Sequence, residues 1–141
     1  MYPGSSGEDD RKLVTISFLR RLDKKHVQGG VVDPEAFKCD PDGTGPSIHL
    51  RSTPLDTPEG VKDYQNKYRR ESGDLFGVCE ISKNKIPATC PAIHMPEDSE
   101  IFPFGNLHYE LTPCPDEDAK KSIAFSAIIL LNYVRATKGS Q

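Results

Sequence analysis

Two segments of this chain place a histidine between apolar residues at the spacing of a β-strand, SIHLRST around His49 and NLHYELT around His108. Side chains alternate between the two faces of a strand, so His49 would share a face with Arg51. His108 would share one with Glu110 in the same way. Two imidazoles, a guanidinium and a carboxylate on one sheet could carry out general acid–base catalysis or hold an anion. We therefore predict four catalytic residues: His49, Arg51, His108 and Glu110.

These four residues have a simpler interpretation, in which they are the solvated face of a one-sided sheet. The two histidine motifs are also similar to the paired H-x-[ST] motifs of the 2H phosphoesterases. Arg51 and Glu110 stand where that family requires Ser or Thr, so the sequence does not fit it.

Other chemistry is weakly indicated. The chain contains no G-x-S-x-G, G-x-x-x-x-G-K-[ST], G-x-G-x-x-G or H-E-x-x-H motif. No cofactor is predicted. A zinc site is possible only if the fold gathers Cys90, Cys114 and either His94 or His108. None of the four cysteines forms a C-x-x-C pair, and Cys79 in GVCEI is typical of a buried apolar position.

The elements that would position the histidines are strands interspersed with helices. The helix signal Thr57-Pro58-Glu59 provides a cap, a proline at the first helical position and an acid in the first turn. We predict a helix from there to about Glu71. Asp33-Pro34 is predicted to open a capped helical turn. The expected strands cover residues 13–19, 47–52, 75–81, 88–94 and 107–112.

The C-terminal region predicts one long amphipathic helix over residues 116–138. Pro115 and three acidic residues suit its first turn, and Gly139 suits its end. A buried stripe follows helical spacing, and neighbouring apolar residues widen it. The stripe is Ile123, Ala127, Leu130, Leu131 and Val134, widened by Phe125, Ile128 and Ile129. The predicted fold is therefore α+β: a mostly antiparallel sheet of about four to five strands against this helix and a second, shorter one.

Composition fits one domain of 141 residues, with a polar tail at residues 1–10 predicted to be disordered and a single domain at residues 11–138. A net charge of −3 gives no strong nucleic-acid signature, and no apolar run is long enough for a membrane span. The N-terminal stretch lacks the apolar region of a signal peptide. We therefore expect a cytoplasmic protein with reduced cysteines. The basic cluster Arg20, Arg21, Lys24 and Lys25 is interpreted as a solvated turn, with an anion site as the alternative.

Several short segments resemble an uncharacterised bacterial domain family of unknown function. They are FLRRL at residues 18–22, HVQGGVVDPEAFK at 26–38, SIHLRS at 47–52, TPEGV at 57–61 and GVCEIS at 77–82. In proteins of that kind a strand ending in Arg precedes a T-P-E helix start, a G-V strand and a late histidine, which would be His108. The resemblance implies a bacterial, cytoplasmic origin and no mechanism.

The sequence supports three hypotheses of function. The first is a small cytoplasmic protein-interaction or accessory module, whose partner is another protein; the missing catalytic motifs and the acidic loop at residues 97–100 favour it. The alternative is a small enzyme or a nucleotide- or anion-binding domain that uses the four predicted residues, which would then converge in one pocket with shifted histidine pKa values. The third is a metal-stabilised domain.

Overall fold

The computed structural model describes residues 16–67 and 77–132. Six of its strands form one antiparallel sheet, and two short strands form a separate hairpin. The hairpin strands are β2 (Val27–Gln28) and β3 (Val31–Val32). The sheet strands are β1 (Ser17–Leu22), β4 (Ser47–Leu50), β5 (Gly77–Ser82), β6 (Ala92–His94), β7 (His108–Leu111) and β8 (Ile128–Asn132), in the order β6-β7-β4-β1-β5-β8.

Both faces of the sheet are covered, each by one helix. Helix α1 spans Pro58–Lys67 and helix α2 spans Glu117–Ser126. The face under α2 buries the larger apolar cluster, and the face under α1 buries a smaller one. The larger cluster includes Phe18, Phe37, Ile48, Ile81, Leu111 and Ile123; the smaller includes Leu19, Leu55, Val61, Tyr64, Val78 and Leu107.

The predicted long C-terminal helix is wrong. Helix α2 ends at Ser126, and Ala127 takes an extended conformation with φ −68° and ψ 141°. The chain then forms β8, which pairs with the edge of β5. A strand suits this segment because Ile128 and Ile129 are β-branched. Phe125 and Ile128, expected to widen a buried stripe, are 93% and 58% exposed.

The prediction of four to five strands is also wrong, because β8 brings the sheet to six. The α+β class and the antiparallel pairing agree with the structure. The predicted starts of both helices agree as well, and Asp33 caps a 3₁₀ turn at Pro34–Phe37. The tail at residues 1–10, residues 13–15 of the first predicted strand and the predicted helix end near Glu71 lie outside the described residues.

The prediction of reduced cysteines is wrong for one pair, since Cys39 and Cys114 form a disulfide that links positions 75 residues apart. The bond ties the loop after the Pro34–Phe37 turn to the segment that leads into α2. Lys120 on α2 adds an ion pair to Glu35 on the same turn, at 3.2 Å. The disulfide and this ion pair together fix α2 against the turn.

Strands β4 and β7 come together closely beside Gly45. A Cβ atom on this glycine would overlap the carbonyl oxygen of Leu111. Glycine is therefore needed for the approach that brings β7 alongside β4, the two strands that carry His108 and His49. Within the described part of the chain, no helix is long and apolar enough to cross a membrane.

Candidate functional site

His49 and His108 lie directly opposite each other on β4 and β7. Their ring centroids are 5.3 Å apart, and each residue is only 3% exposed. They share the face of the sheet that α1 covers, where Tyr64 packs edge-on against His49. The structure therefore brings together the two histidines that strand alternation singles out.

The other two predicted residues, Arg51 and Glu110, belong to the same face but lie on opposite sides of the histidine pair along the strands. The two strands are antiparallel and Ser47 pairs with Glu110, so Glu110 lies beyond one side of the pair. Arg51 lies beyond the other side, where its guanidinium meets the Glu80 carboxylate at 3.1 Å. About four residue steps of a strand, roughly 13 Å, separate Arg51 and Glu110 along the sheet. The four predicted residues do not converge in one pocket.

His49 is held as a neutral imidazole. The Tyr64 hydroxyl donates to the Leu19 carbonyl at 3.2 Å, so His49 Nδ1, 3.0 Å from that hydroxyl, carries the proton and donates to it. Burial lowers the pKa of His49 to about 3, and the charges of His108, Arg21 and Arg20 act in the same direction. His49 is therefore uncharged at neutral pH and serves to orient Tyr64 and His108.

His108 differs from His49 in the hydrogen bonds that its two ring nitrogens make. Its Nδ1 lies 2.7 Å from the Met95 carbonyl, which can only accept, so Nδ1 carries the proton. Its Nε2 then accepts from the Ser47 hydroxyl at 2.9 Å. The Glu97 carboxylate lies 3.9 Å from Nδ1 and would stabilise a proton gained by the ring. His108 is therefore the ring of the pair that contacts both a hydroxyl and, on its other side, a backbone carbonyl.

A cavity of about 160 Å³ opens beside this pair. Arg20, Arg21 and Glu97 are among its lining residues. The Arg20 guanidinium is hydrogen-bonded to the Ala36 and Ser47 carbonyls, so the cation on the cavity face is Arg21. The volume exceeds what one water molecule occupies, ~30 Å³, and is below the ~300 Å³ of a drug-sized pocket. Its lining residues are Arg20, Arg21, Ser47, His49, Tyr64, Glu97, Phe102 and His108.

The side chains of the two arginines lie on different faces of the sheet. Arg20 donates from Nε to the Ala36 carbonyl and from Nη1 to the Ser47 carbonyl, both at 2.7 Å. These charge-assisted bonds fix the Pro34–Phe37 turn beside the start of β4. Arg21 points to the same face as Leu19 and His49, because strand alternation places it there. Arg21 is the better candidate for contact with a bound anion.

The loop between β6 and β7 forms one wall of the cavity. Glu97 is anchored by its backbone N–H to the Gly105 carbonyl at 2.9 Å. Phe104 adopts a left-handed conformation with φ 64°, which is rare for an aromatic residue, and its ring packs 6.3 Å from that of Tyr64. Phe102 lines the cavity and is 43% exposed. This loop therefore carries both the acid beside His108 and an aromatic residue that lines the cavity.

Several residues of the cavity were missed from the sequence. Ser47 precedes His49 by two positions and so shares its face, a signal that strand alternation contains. Arg20 and Arg21 belong to β1, whereas the sequence placed them in a solvated turn. Their position between Leu19 and Leu22, both buried, was the available signal. For Glu97 the sequence contains no such signal, because its approach to His108 depends on the path of a loop.

The proposed metal ligands are not gathered. Cys114 is bonded to Cys39 and supplies no thiolate. His94 is exposed and its Nε2 hydrogen-bonds to the Asn106 carbonyl at 3.0 Å. Across residues 16–67 and 77–132, no group of three or more His, Cys, Asp or Glu side chains is placed to hold a metal ion.

No model of a protein family, no curated protein and no solved structure matches this chain. The chemistry of the cavity follows from its own side chains. It combines the guanidinium of Arg21, a hydroxyl paired with an imidazole and a neutral histidine beside them. Such a set favours an anion and can accept a proton from a hydroxyl.

Proposed function

We propose that this protein binds a small anionic ligand in the cavity beside His49 and His108. The observation that supports the proposal most directly is that Arg21 lines one small cavity together with the Ser47–His108 pair. Guanidinium groups match the geometry of phosphate and carboxylate oxygens. Burial among apolar side chains raises the strength of such contacts over those in water.

The size of the cavity narrows the ligand. A volume of about 160 Å³ suits a phosphate or carboxylate group with a short organic part, or the charged end of a longer molecule. The carboxylate of Glu97 offsets the charge of Arg21, which disfavours a highly charged ligand. We therefore favour a ligand with one or two negative charges. This is the anion-binding alternative of the sequence, with Arg21 and Ser47 in place of Arg51 and Glu110.

Replacing Arg21 with glutamine is expected to weaken the binding of inorganic phosphate roughly 10- to 100-fold, the range of one lost charge-assisted hydrogen bond. Titration followed by NMR of the backbone amides measures this, because it detects weak binding. Arg51→Gln is the matched control, since it removes the same charge from the same sheet face outside the cavity. Equal affinities for the wild type and Arg21→Gln would contradict the proposal.

A second candidate function is the protein-interaction or accessory module, with another protein as partner. Strand β6 is an edge of the sheet, and apolar side chains are exposed on it and on the following loop. An edge strand can pair with an extended segment of a second protein. The exposed residues are Ile93 at 42%, Met95 at 42%, Ile101 at 66% and Phe102 at 43%.

A photo-crosslinking residue at position 93 tests this second candidate in cells. We expect one discrete crosslinked species from position 93 and none from the exposed position 122 on α2. Mapping the crosslink should give an extended segment of the partner. Identical crosslinking patterns from the two positions, or no crosslink at position 93, would argue against recognition through β6.

A bacterial, cytoplasmic origin is a further proposal that rests on the sequence. The disulfide between Cys39 and Cys114 weighs against a reducing compartment. Cys79 and Cys90 are the two free cysteines among the described residues, and both are buried. Alkylation of the protein in intact cells distinguishes the alternatives, because a cytoplasmic protein would show Cys39 and Cys114 alkylated.

A further inference from the structure

We propose that Ser47 is a nucleophile that His108 activates, and that the cavity hydrolyses small esters carrying a negative charge. The charge of the substrate rests on the proposed anion site; the nucleophile itself rests on separate contacts. Ser47 Oγ lies 2.9 Å from His108 Nε2, within the reach that a general base needs.

The direction of that hydrogen bond is fixed by the rest of the site. The Met95 carbonyl can only accept, so the proton of neutral His108 resides on Nδ1. Nε2 is left with a lone pair directed at the Ser47 hydroxyl. A base held by a third group in this way is the arrangement of a serine nucleophile on any fold. The tautomer is therefore the one that catalysis requires.

Two neighbours act as positioning residues. Glu97 lies 3.9 Å from His108 Nδ1 and would stabilise the imidazolium that forms when the ring takes the serine proton. His49 packs beside His108 and stays neutral, so it adds no opposing charge at that moment. Ser47 is partly exposed and lines the cavity, so a substrate in the cavity reaches its hydroxyl.

The reaction balances with water as the only co-reactant. Ser47 Oγ attacks the ester carbonyl carbon and its proton passes to His108 Nε2, while Arg21 faces the negative oxygen that forms. The carbon–oxygen bond to the alcohol then breaks, and the alcohol leaves with the proton from Nε2. Water, deprotonated by Nε2, attacks the acyl-serine, which releases the acid and restores the Ser47 hydroxyl and neutral His108.

The test is covalent labelling of the wild-type protein with a fluorophosphonate, followed by intact mass and peptide mapping. We expect a single adduct on Ser47, none in Ser47→Ala, and labelling about 100-fold slower in His108→Gln. Ser82→Ala, a serine on β5 outside the cavity, is the matched control and should label at the wild-type rate. Mapping the wild-type adduct keeps the test decisive even if a variant fails to fold.

Two further measurements are informative. One distinguishes a positioning role of Glu97 from a purely structural role, and the other distinguishes the nucleophile proposal from the anion-site proposal. In Glu97→Gln the acid limb of the labelling rate should move to lower pH, a change that a merely structural role would not cause. Arg21→Gln should slow hydrolysis of a 4-nitrophenyl ester bearing a carboxylate more than that of 4-nitrophenyl acetate. Phosphate binding without Ser47 labelling overturns the nucleophile and leaves the anion site. Labelling of Ser47 without phosphate binding overturns the anionic substrate.

Discussion

Acidification from about pH 6.5 to about pH 4.5 is expected to remove about 2 kcal/mol from the free energy of unfolding through His49 alone. The pKa of this histidine is about 3 in the folded protein, against 6.5 for the unperturbed side chain. Burial is the main cause, because His49 is only 3% exposed and a charged ring there would lose most of its hydration. The loss becomes steeper as the pH falls and approaches about 1.4 kcal/mol per pH unit once the unfolded-state histidine is fully protonated.

The sign follows from proton binding. Below pH 6.5 the unfolded chain protonates His49, while the folded chain keeps it neutral down to about pH 3. The unfolded state therefore binds more protons across this window, and stability falls as the pH falls. Above about pH 7.5 His49 is neutral in both states and contributes no pH dependence.

Urea denaturation at a series of pH values measures the effect, and His49→Asn is the control. Asparagine can still donate to the Tyr64 hydroxyl but does not titrate. The variant should lose stability overall and show a pH slope smaller by about one proton between pH 4 and pH 6. Equal slopes for the two proteins would mean that His49 is protonated in the folded state.

Loss of the disulfide is the second large expected effect. Because the bond closes 75 residues of chain, the double variant Cys39→Ser/Cys114→Ser should lose about 4 kcal/mol of unfolding free energy. The loss arises mainly from the unfolded chain, which gains freedom when the loop is open. Helix α2 should keep its ion pair with Glu35 and its capping by Asp116 in the folded state.

Reducing agent provides the matched comparison for this second prediction. Dithiothreitol should destabilise the wild type by a similar amount and leave the double variant unchanged, as followed by urea denaturation. If the urea midpoint of the wild type does not change with dithiothreitol, Cys39 and Cys114 are not bonded in solution.

The sequence predicted those parts of the fold whose signals are local. The Thr57-Pro58-Glu59 start of α1 and the Asp116 cap of α2 depend on neighbouring residues, and both agree with the structure. The predicted end of α2 does not agree with the structure, because the apolar segment from Ala127 to Leu131 is consistent with either a buried helix or a buried strand. The segment forms a strand because it pairs with the open edge of β5, and the local sequence contains no information about that edge.

The site was predictable to the same extent. Alternation within each strand groups His49 with Arg51 and His108 with Glu110, which is a property of each strand by itself. Which residues accompany them depends on register, and the antiparallel pairing of Ser47 with Glu110 moves Arg51 and Glu110 apart. Glu97 enters the site through the path of a loop, which strand alternation does not describe. Long-range pairing is also why the Cys39–Cys114 bond was missed.

The most direct test of the central claim is a crystal soaked in tungstate, a phosphate analogue with a strong anomalous signal. If the cavity is an anion site, we expect an anomalous peak in it, within hydrogen-bonding distance of the Arg21 guanidinium and the Ser47 hydroxyl, and no such peak in Arg21→Gln. Tungstate bound elsewhere on the surface, with the cavity holding only water, would contradict it.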